Sequence, residues 1–159
     1  MKIDYLYKDV EQKFLKILNK SKKSNILQDV VNLLYKMFEK YSWVGIYIVK
    51  DNNLILGPWN GRQSTEHNKI PIGKGICGFA AKTGKTELIN NVNTDKRYLA
   101  CFISTKSEIV VPIKRNDIVI GEIDIDSDKK DGFNQKDSVF LESLAANRTF
   151  IKLIDDYEV

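Results

Sequence analysis

The chain has 159 residues, 43% hydrophobic and 29% charged, which suits one globular domain over 1–159 with a real core and excludes a disordered tail. Its 25 basic and 21 acidic residues leave a charge of +4. The densest bases (Lys20, Lys22, Lys23, Lys129, Lys130) form no aromatic-interleaved stripe, so nucleic acid is not an expected partner. No apolar run approaches the ~18 residues of a membrane helix, and Met1-Lys2-Ile3-Asp4 does not open a signal peptide, so a cytoplasmic, membrane-free protein is expected.

Leu6, Val10, Phe14 and Leu18 recur at helical spacing, as do Ile26, Val30, Leu34 and Met37/Phe38, which predicts two helices broken at 21–24, with Ser24 as the N-cap of the second. Aromatic and β-branched residues then predict a strand over Trp43–Val49, a turn at Asp51-Asn52-Asn53 and a returning strand over Leu54–Trp59. Residues 60–68 read as a polar loop, Gly75–Lys82 as a short helix closed by Gly84, and Thr86–Ile89 as a short strand. Residues 90–106 read as irregular, apart from a turn of helix around Cys101. A hairpin follows, Glu108–Ile113 and Ile118–Ile125, joined through 114–117. One last helix is predicted, capped by Asn134 with Asp137 three residues on, its apolar face running from Phe140 to Ile154. The class is α+β, an antiparallel sheet covered by helices from both ends of the chain.

Alternation along the second hairpin strand puts Ile120, Glu122, Asp124 and Asp126 on one face and Val119, Ile123 and Ile125 on the other. In the partner strand Ile109, Val111 and Ile113 form the apolar set. A three-residue loop, Arg115-Asn116-Asp117, brings Glu108 to the face of Asp124 and Asp126. Such a face is most simply the wet side of a half-buried sheet. However, like charges opposite each other destabilise a sheet, and these strands are otherwise strongly apolar. Clustered carboxylates suit an ammonium group or a hard metal ion, and raise one another's pKa so that one stays protonated.

In a reducing compartment two cysteines are catalytic, redox-sensing or simply reduced. Two cysteines and a single histidine cannot assemble a four-ligand structural zinc site, and no metal or cofactor is expected. Cys101 has Arg97 and Lys106 nearby in sequence to favour a thiolate. Cys77 sits in Gly73-Lys74-Gly75-Ile76-Cys77-Gly78, where it is either a second redox thiol or a packed helix start; the glycines alone are a weak anion-cradle signal. His67, beside Glu66, reads as a solvated loop residue. Trp43, Tyr47 and Trp59 read as sheet aromatics able to wall an apolar pocket.

In this order Trp43-Val44-Gly45-Ile46-Tyr47, Leu56-Gly57-Pro58-Trp59-Asn60-Gly61, Ile70-Pro71-Ile72-Gly73-Lys74-Gly75-Ile76-Cys77-Gly78, Leu99-Ala100-Cys101, Ser107-Glu108-Ile109-Val110-Val111-Pro112 and Gly121-Glu122-Ile123-Asp124-Ile125-Asp126-Ser127 resemble the GAF-fold free methionine-(R)-sulfoxide reductases. The resemblance implies a six-stranded antiparallel sheet with flanking helices and a closed pocket on one face. It implies Cys101 as nucleophile, Cys77 as second redox cysteine and Glu108 as the acid that polarises the sulfoxide. Asp124 and Asp126 would hold the substrate ammonium, and Trp43 and Tyr47 would line the pocket. It further implies thioredoxin or a similar dithiol as reductant, with a second copy of the chain as a candidate partner. The family's usual third cysteine, before Ile70-Pro71, is replaced here by His67, in a loop about two residues longer. Internal recycling then falls to Cys77, or to an external thiol. A stand-alone GAF module that binds a small ligand or senses redox state without turnover is the alternative.

Overall fold

The helical spacing of apolar residues near the N-terminus folds as two helices, α1 (Lys2–Leu18) and α2 (Ile26–Met37). The computed structural model describes residues 2–20, 22, 25–100 and 102–159, and the expected cap Ser24 lies outside them. Val10, Phe14 and Leu18 of α1 pack with Ile26, Val30 and Leu34 of α2 against one face of the sheet. That sheet has six strands, β1 (Trp43–Lys50), β2 (Asn53–Gly61), β3 (Lys69–Pro71), β4 (Glu87–Ile89), β5 (Ser107–Arg115) and β6 (Ile118–Ser127). They are arranged β3-β2-β1-β6-β5-β4 with antiparallel pairing throughout. The short β3 was not read from the sequence, because Lys69-Ile70-Pro71 offers three residues and one buried side chain.

A second α-helical layer on the same face comes from the C-terminal region. One continuous helix was expected there, but the chain forms α4 (Gln135–Ala145) and α5 (Arg148–Asp155). Asn147 stops the first and caps the second, its side chain accepting from the Phe150 amide at 3.0 Å. The expected cap of α4 is present as a reciprocal box: the Asn134 side chain accepts from the Lys136 and Asp137 amides, and Asp137 accepts from the Asn134 amide. Buried Asp137 also accepts from Tyr7 at 2.8 Å and Lys40 at 2.7 Å, tying α4 to α1 and to the approach to β1. None of the described helices is long and apolar enough to cross a membrane.

The sheet is buried on both faces. Val44, Ile46, Ile48, Ile109, Val111, Ile113, Ile123 and Ile125 join the core under α1, α2, α4 and α5. The other face carries Trp43, Tyr47 and Val110 and is covered by helix α3 (Gly75–Thr83) and by Tyr98, Leu99 and Phe102. A 3-10 turn lies earlier in that connection, at Val92–Thr94.

How the hairpin reaches this arrangement differs from the sequence expectation. Its turn is two residues, Asn116 and Asp117, both at positive φ (49° and 66°), the hand that suits a tight hairpin. A two-residue turn alone would pair Glu108 with Ile125 and put it in the wrong face. The register instead shifts by one between Lys114↔Val119 and Ile113↔Gly121, leaving Ile120 as a bulge residue. The bulge restores the parity that a three-residue loop would have supplied, and Glu108 pairs with Asp126. It also exchanges the faces of Val119 and Ile120. Ile120 packs with the helix-side core and Val119 with the opposite cluster, the reverse of simple alternation.

Candidate active site

β5, β6 and β1 bring the predicted acids and aromatics onto one face. Glu108 and Trp43 both lie opposite Asp126, Gly45 and Val110 opposite Asp124, and Tyr47 opposite Glu122. The Trp43 indole folds back over Gly45 and Gly61, where an added Cβ would meet the ring at 2.2 and 2.4 Å. Both positions therefore need glycine for this ring placement. Trp59 stacks on Trp43 at 6.2 Å between centroids, and Phe102 tilts against it at 6.0 Å.

The acid face is not wet. Glu108, Glu122, Asp124 and Asp126 are 4%, 0%, 1% and 2% exposed. Among the described residues no Lys, Arg or His forms an ion pair with any of them. Glu108 Oε2, Asp124 Oδ1, Asp126 Oδ2 and both Glu122 oxygens have no hydrogen-bond partner of good geometry among the described residues, and the same holds for Trp43 Nε1. A buried charge without a partner is costly, so such a group either keeps its proton or awaits a cation.

All four carboxyls are pushed above their ordinary range, in each case chiefly by burial. For Glu108, Glu122 and Asp126 the charge of Asp124 adds to the rise. Asp124 is the best supported anion of the set, since hydrogen bonding from Glu108 and from Cys77 opposes its rise. The site thus gathers four buried carboxyls that hold their protons more tightly than ordinary ones, Asp124 least so.

Cys77 lies in the first turn of α3, with its thiol 3.7 Å from Glu108 Oε1. Its proximity also opposes the upward shift of Glu122, although no bond of good geometry joins the two. The turn before α3 is tight: Gly73 N–H donates to Gly78 O at 2.8 Å, and Gly75, at φ +69°, has Leu99 where a Cβ would stand. Tyr98, Leu99 and Phe102 close over this layer. The space left between Cys77, Glu108, Ile76 and Leu99 is about 10 Å³, the room of roughly one water. A larger groove of about 1150 Å³ between α2, β2 and α5 is lined, among the described residues, by neither Cys77 nor any of the buried carboxyls, so chemistry favours the small site.

His67 is a half-buried loop residue that also bridges: its carbonyl accepts from Tyr47 Oη at 2.7 Å, and its Nε2 lies 3.3 Å from the Ala100 carbonyl. Arg97 pairs with Asp95 at 2.7 Å and Glu87 at 3.1 Å and lies over the Phe79 ring. Of the expected site residues, Cys77, Glu108, Asp124, Asp126, Trp43 and Tyr47 come together, and Cys101 lies outside the described residues. Glu122 was on the predicted acid face but not singled out. Its fully buried position between Tyr47 and Pro112 makes it a fourth member, and the strand alternation already carried that signal.

This electrostatic arrangement has a consequence for stability. An acid whose folded pKa exceeds its unfolded value holds its proton better when folded. Its contribution is complete below the unfolded value near ~4 and is lost as pH rises toward the folded one. Each additional proton held by the folded state costs about 1.4 kcal/mol of stability per pH unit over that window. The ligand-free protein is therefore expected to melt at lower temperature as pH rises from about 5 to about 8, and Glu122→Gln should flatten that slope. Thermal unfolding across the range checks it; a parent that gains stability toward pH 8, or an unchanged slope in the variant, contradicts the arrangement.

Comparison with known proteins agrees with this geometry. Residues 24–150 match the family model described as GAF domain. The free methionine-R-sulfoxide reductase of Saccharomyces cerevisiae is 44% identical over 108 residues, 65% of this chain and 59% of that protein, so the match leaves two fifths of the yeast protein uncovered. The free methionine-R-sulfoxide reductase of Escherichia coli is 32% identical over 126 residues, 79% of this chain and 75% of that protein. Among solved structures, the type II free methionine-R-sulfoxide reductase of Thermoplasma acidophilum superposes with a TM-score of 0.80 at 36% identity, covering 86% of this chain and 95% of that one. The chain belongs to the GAF domain family, in the branch of the free methionine-R-sulfoxide reductases.

Proposed function

We propose that this protein reduces free methionine-(R)-sulfoxide to methionine. The observation that carries the reading is a buried acid face, without a cation among the described residues, set against the Cys77 thiol. An α-ammonium group supplies the charge that face lacks, and Asp124 with Asp126 are the carboxylates assigned to hold it. Trp43 and Tyr47 wall the methyl and methylene side of the substrate. The Cys101 thiolate attacks the sulfoxide sulfur while Glu108 protonates the oxygen; methionine leaves and the oxygen remains on Cys101 as a sulfenic acid. The Cys77 thiol then condenses with it, releasing water and forming a disulfide, which thioredoxin or a similar dithiol reduces by exchange. Two thiol electrons thus reduce one sulfoxide to one sulfide and one water.

The closed site has room for about one water, so the amino acid gains access only when the cover over α3, including Tyr98 and Leu99, moves aside. The test is NADPH consumption coupled through thioredoxin reductase and thioredoxin, with each free sulfoxide epimer. Turnover with the R epimer alone is expected. Tight binding of either epimer with no turnover under any dithiol would leave a ligand-binding module instead of an enzyme.

A further inference from the structure

We propose that the closed, reduced site binds one zinc ion through Cys77 Sγ, an oxygen of Glu108 and an oxygen of Asp124. One ligand atom from each of these buried residues lies within 4.8 Å of the others. Tetrahedral zinc, with Zn–S near 2.3 Å and Zn–O near 2.1 Å, sets its sulfur and oxygen ligands about 3.6 Å apart. Cys77 Sγ and Glu108 Oε1 already stand at 3.7 Å. Asp124 supplies the third ligand oxygen from within the same 4.8 Å cluster.

A second observation asks for a cation at this place. Glu122 is fully buried on the same face, and neither of its oxygens has a partner of good geometry among the described residues. It is available to accept a hydrogen bond from a water in the fourth zinc position, an outer-layer role that orients such sites. The cavity of about 10 Å³ beside Cys77 and Glu108, which Asp124 and Glu122 do not line, has room for a water but not for an amino acid. The donor set selects the metal. Calcium and magnesium take six or more oxygens, whereas one thiolate with two carboxylates in a small, four-coordinate space suits zinc. Binding displaces the Cys77 thiol proton and the Glu108 carboxyl proton to solvent and changes no oxidation state.

On the reductase reading, the ion occupies the carboxylates that the substrate ammonium needs, so zinc and substrate exclude one another. Metal binding itself is read without substrate, so its failure and that of the reductase reading are separate outcomes. The probe is cobalt(II), added to the fully reduced protein and followed by the sulfur-to-cobalt charge-transfer absorbance in the near ultraviolet. A band saturating at one equivalent and bleached by zinc is expected. Cys101→Ser should keep the band, because Cys77 is then the only thiol able to supply it. Cys77→Ser should lose it with its circular dichroism intact, and Asp124→Asn should weaken cobalt binding by about tenfold or more. Absence of the band in the parent, its loss in Cys101→Ser or its survival in Cys77→Ser would overturn the assignment. The Cys101→Ser result decides the matter even if Cys77→Ser fails to fold.

Discussion

The Cys101→Ser protein is expected to show no measurable reduction of free methionine-(R)-sulfoxide while unfolding at the temperature of the parent. A hydroxyl at its ordinary pKa is a far weaker nucleophile than a thiolate, and a serine cannot carry the oxygen onward as a sulfenic acid. In sequence Cys101 follows Ala100, whose carbonyl faces His67, and precedes Phe102, which packs on Trp43. Cys77→Ser should behave differently. It removes the internal thiol proposed to condense with the sulfenic acid, leaving the first chemical step in place. A rapid-quench experiment should release about one equivalent of methionine per enzyme, followed by loss of steady-state cycling with thioredoxin. Near-normal turnover of Cys101→Ser would move the chemistry to another group. Equal cycling of parent and Cys77→Ser would make Cys77 a structural thiol and leave Cys101 to an external reductant.

The strands, the acid face and the site aromatics were legible because they follow from local pattern. Trp43 to Val49 is β-branched and aromatic, and a period of two carries Glu122, Asp124 and Asp126 to one side. The details that failed were those where one residue changes the count. The expected three-residue loop and the observed two-residue turn with a bulge have the same parity, so the prediction for Glu108 was right with the wrong turn. Val119 and the bulge residue Ile120 were assigned to the wrong faces. The break between α4 and α5 was invisible to hydrophobic spacing because Phe140, Leu144, Phe150, Ile151 and Ile154 keep one apolar face across it, and only the cap at Asn147 reveals the stop.

Burial was the other quantity that pattern could not supply. Alternation marks which residues share a face, but not whether that face meets water. Here α3 and the segment over it exclude water from four carboxyls, turning an ordinary polar sheet surface into a site with raised pKa values. The contacts of His67 escaped pattern for a related reason. Its Tyr47 and Ala100 contacts link residues 20 and 33 positions away, and no local feature of the 61–68 loop announces them.

Glu108→Gln and Asp126→Asn are each expected to lower kcat/KM for the free sulfoxide by tens-fold or more. For Asp126, removing one member of a buried ammonium–carboxylate pair costs roughly 2–5 kcal/mol, much of it the penalty for stranding the other charge; for Glu108, loss of a general acid removes roughly 10²–10⁴-fold of rate. The two substitutions should split kinetically. Asp126 is assigned to the substrate ammonium, so its loss should fall on KM and kcat together. Glu108 is assigned to proton delivery at the sulfoxide oxygen, so its loss should fall mainly on kcat. The same face predicts selectivity. A peptide-linked methionine sulfoxide has an amide where the free amino acid has an ammonium, so it brings no charge to Asp124 and Asp126 and leaves them buried and unpaired. Activity on an oxidised protein should therefore be negligible beside that on the free amino acid. Efficient repair of an oxidised protein, or unchanged kinetics in both variants, would show that these carboxyls serve the fold alone.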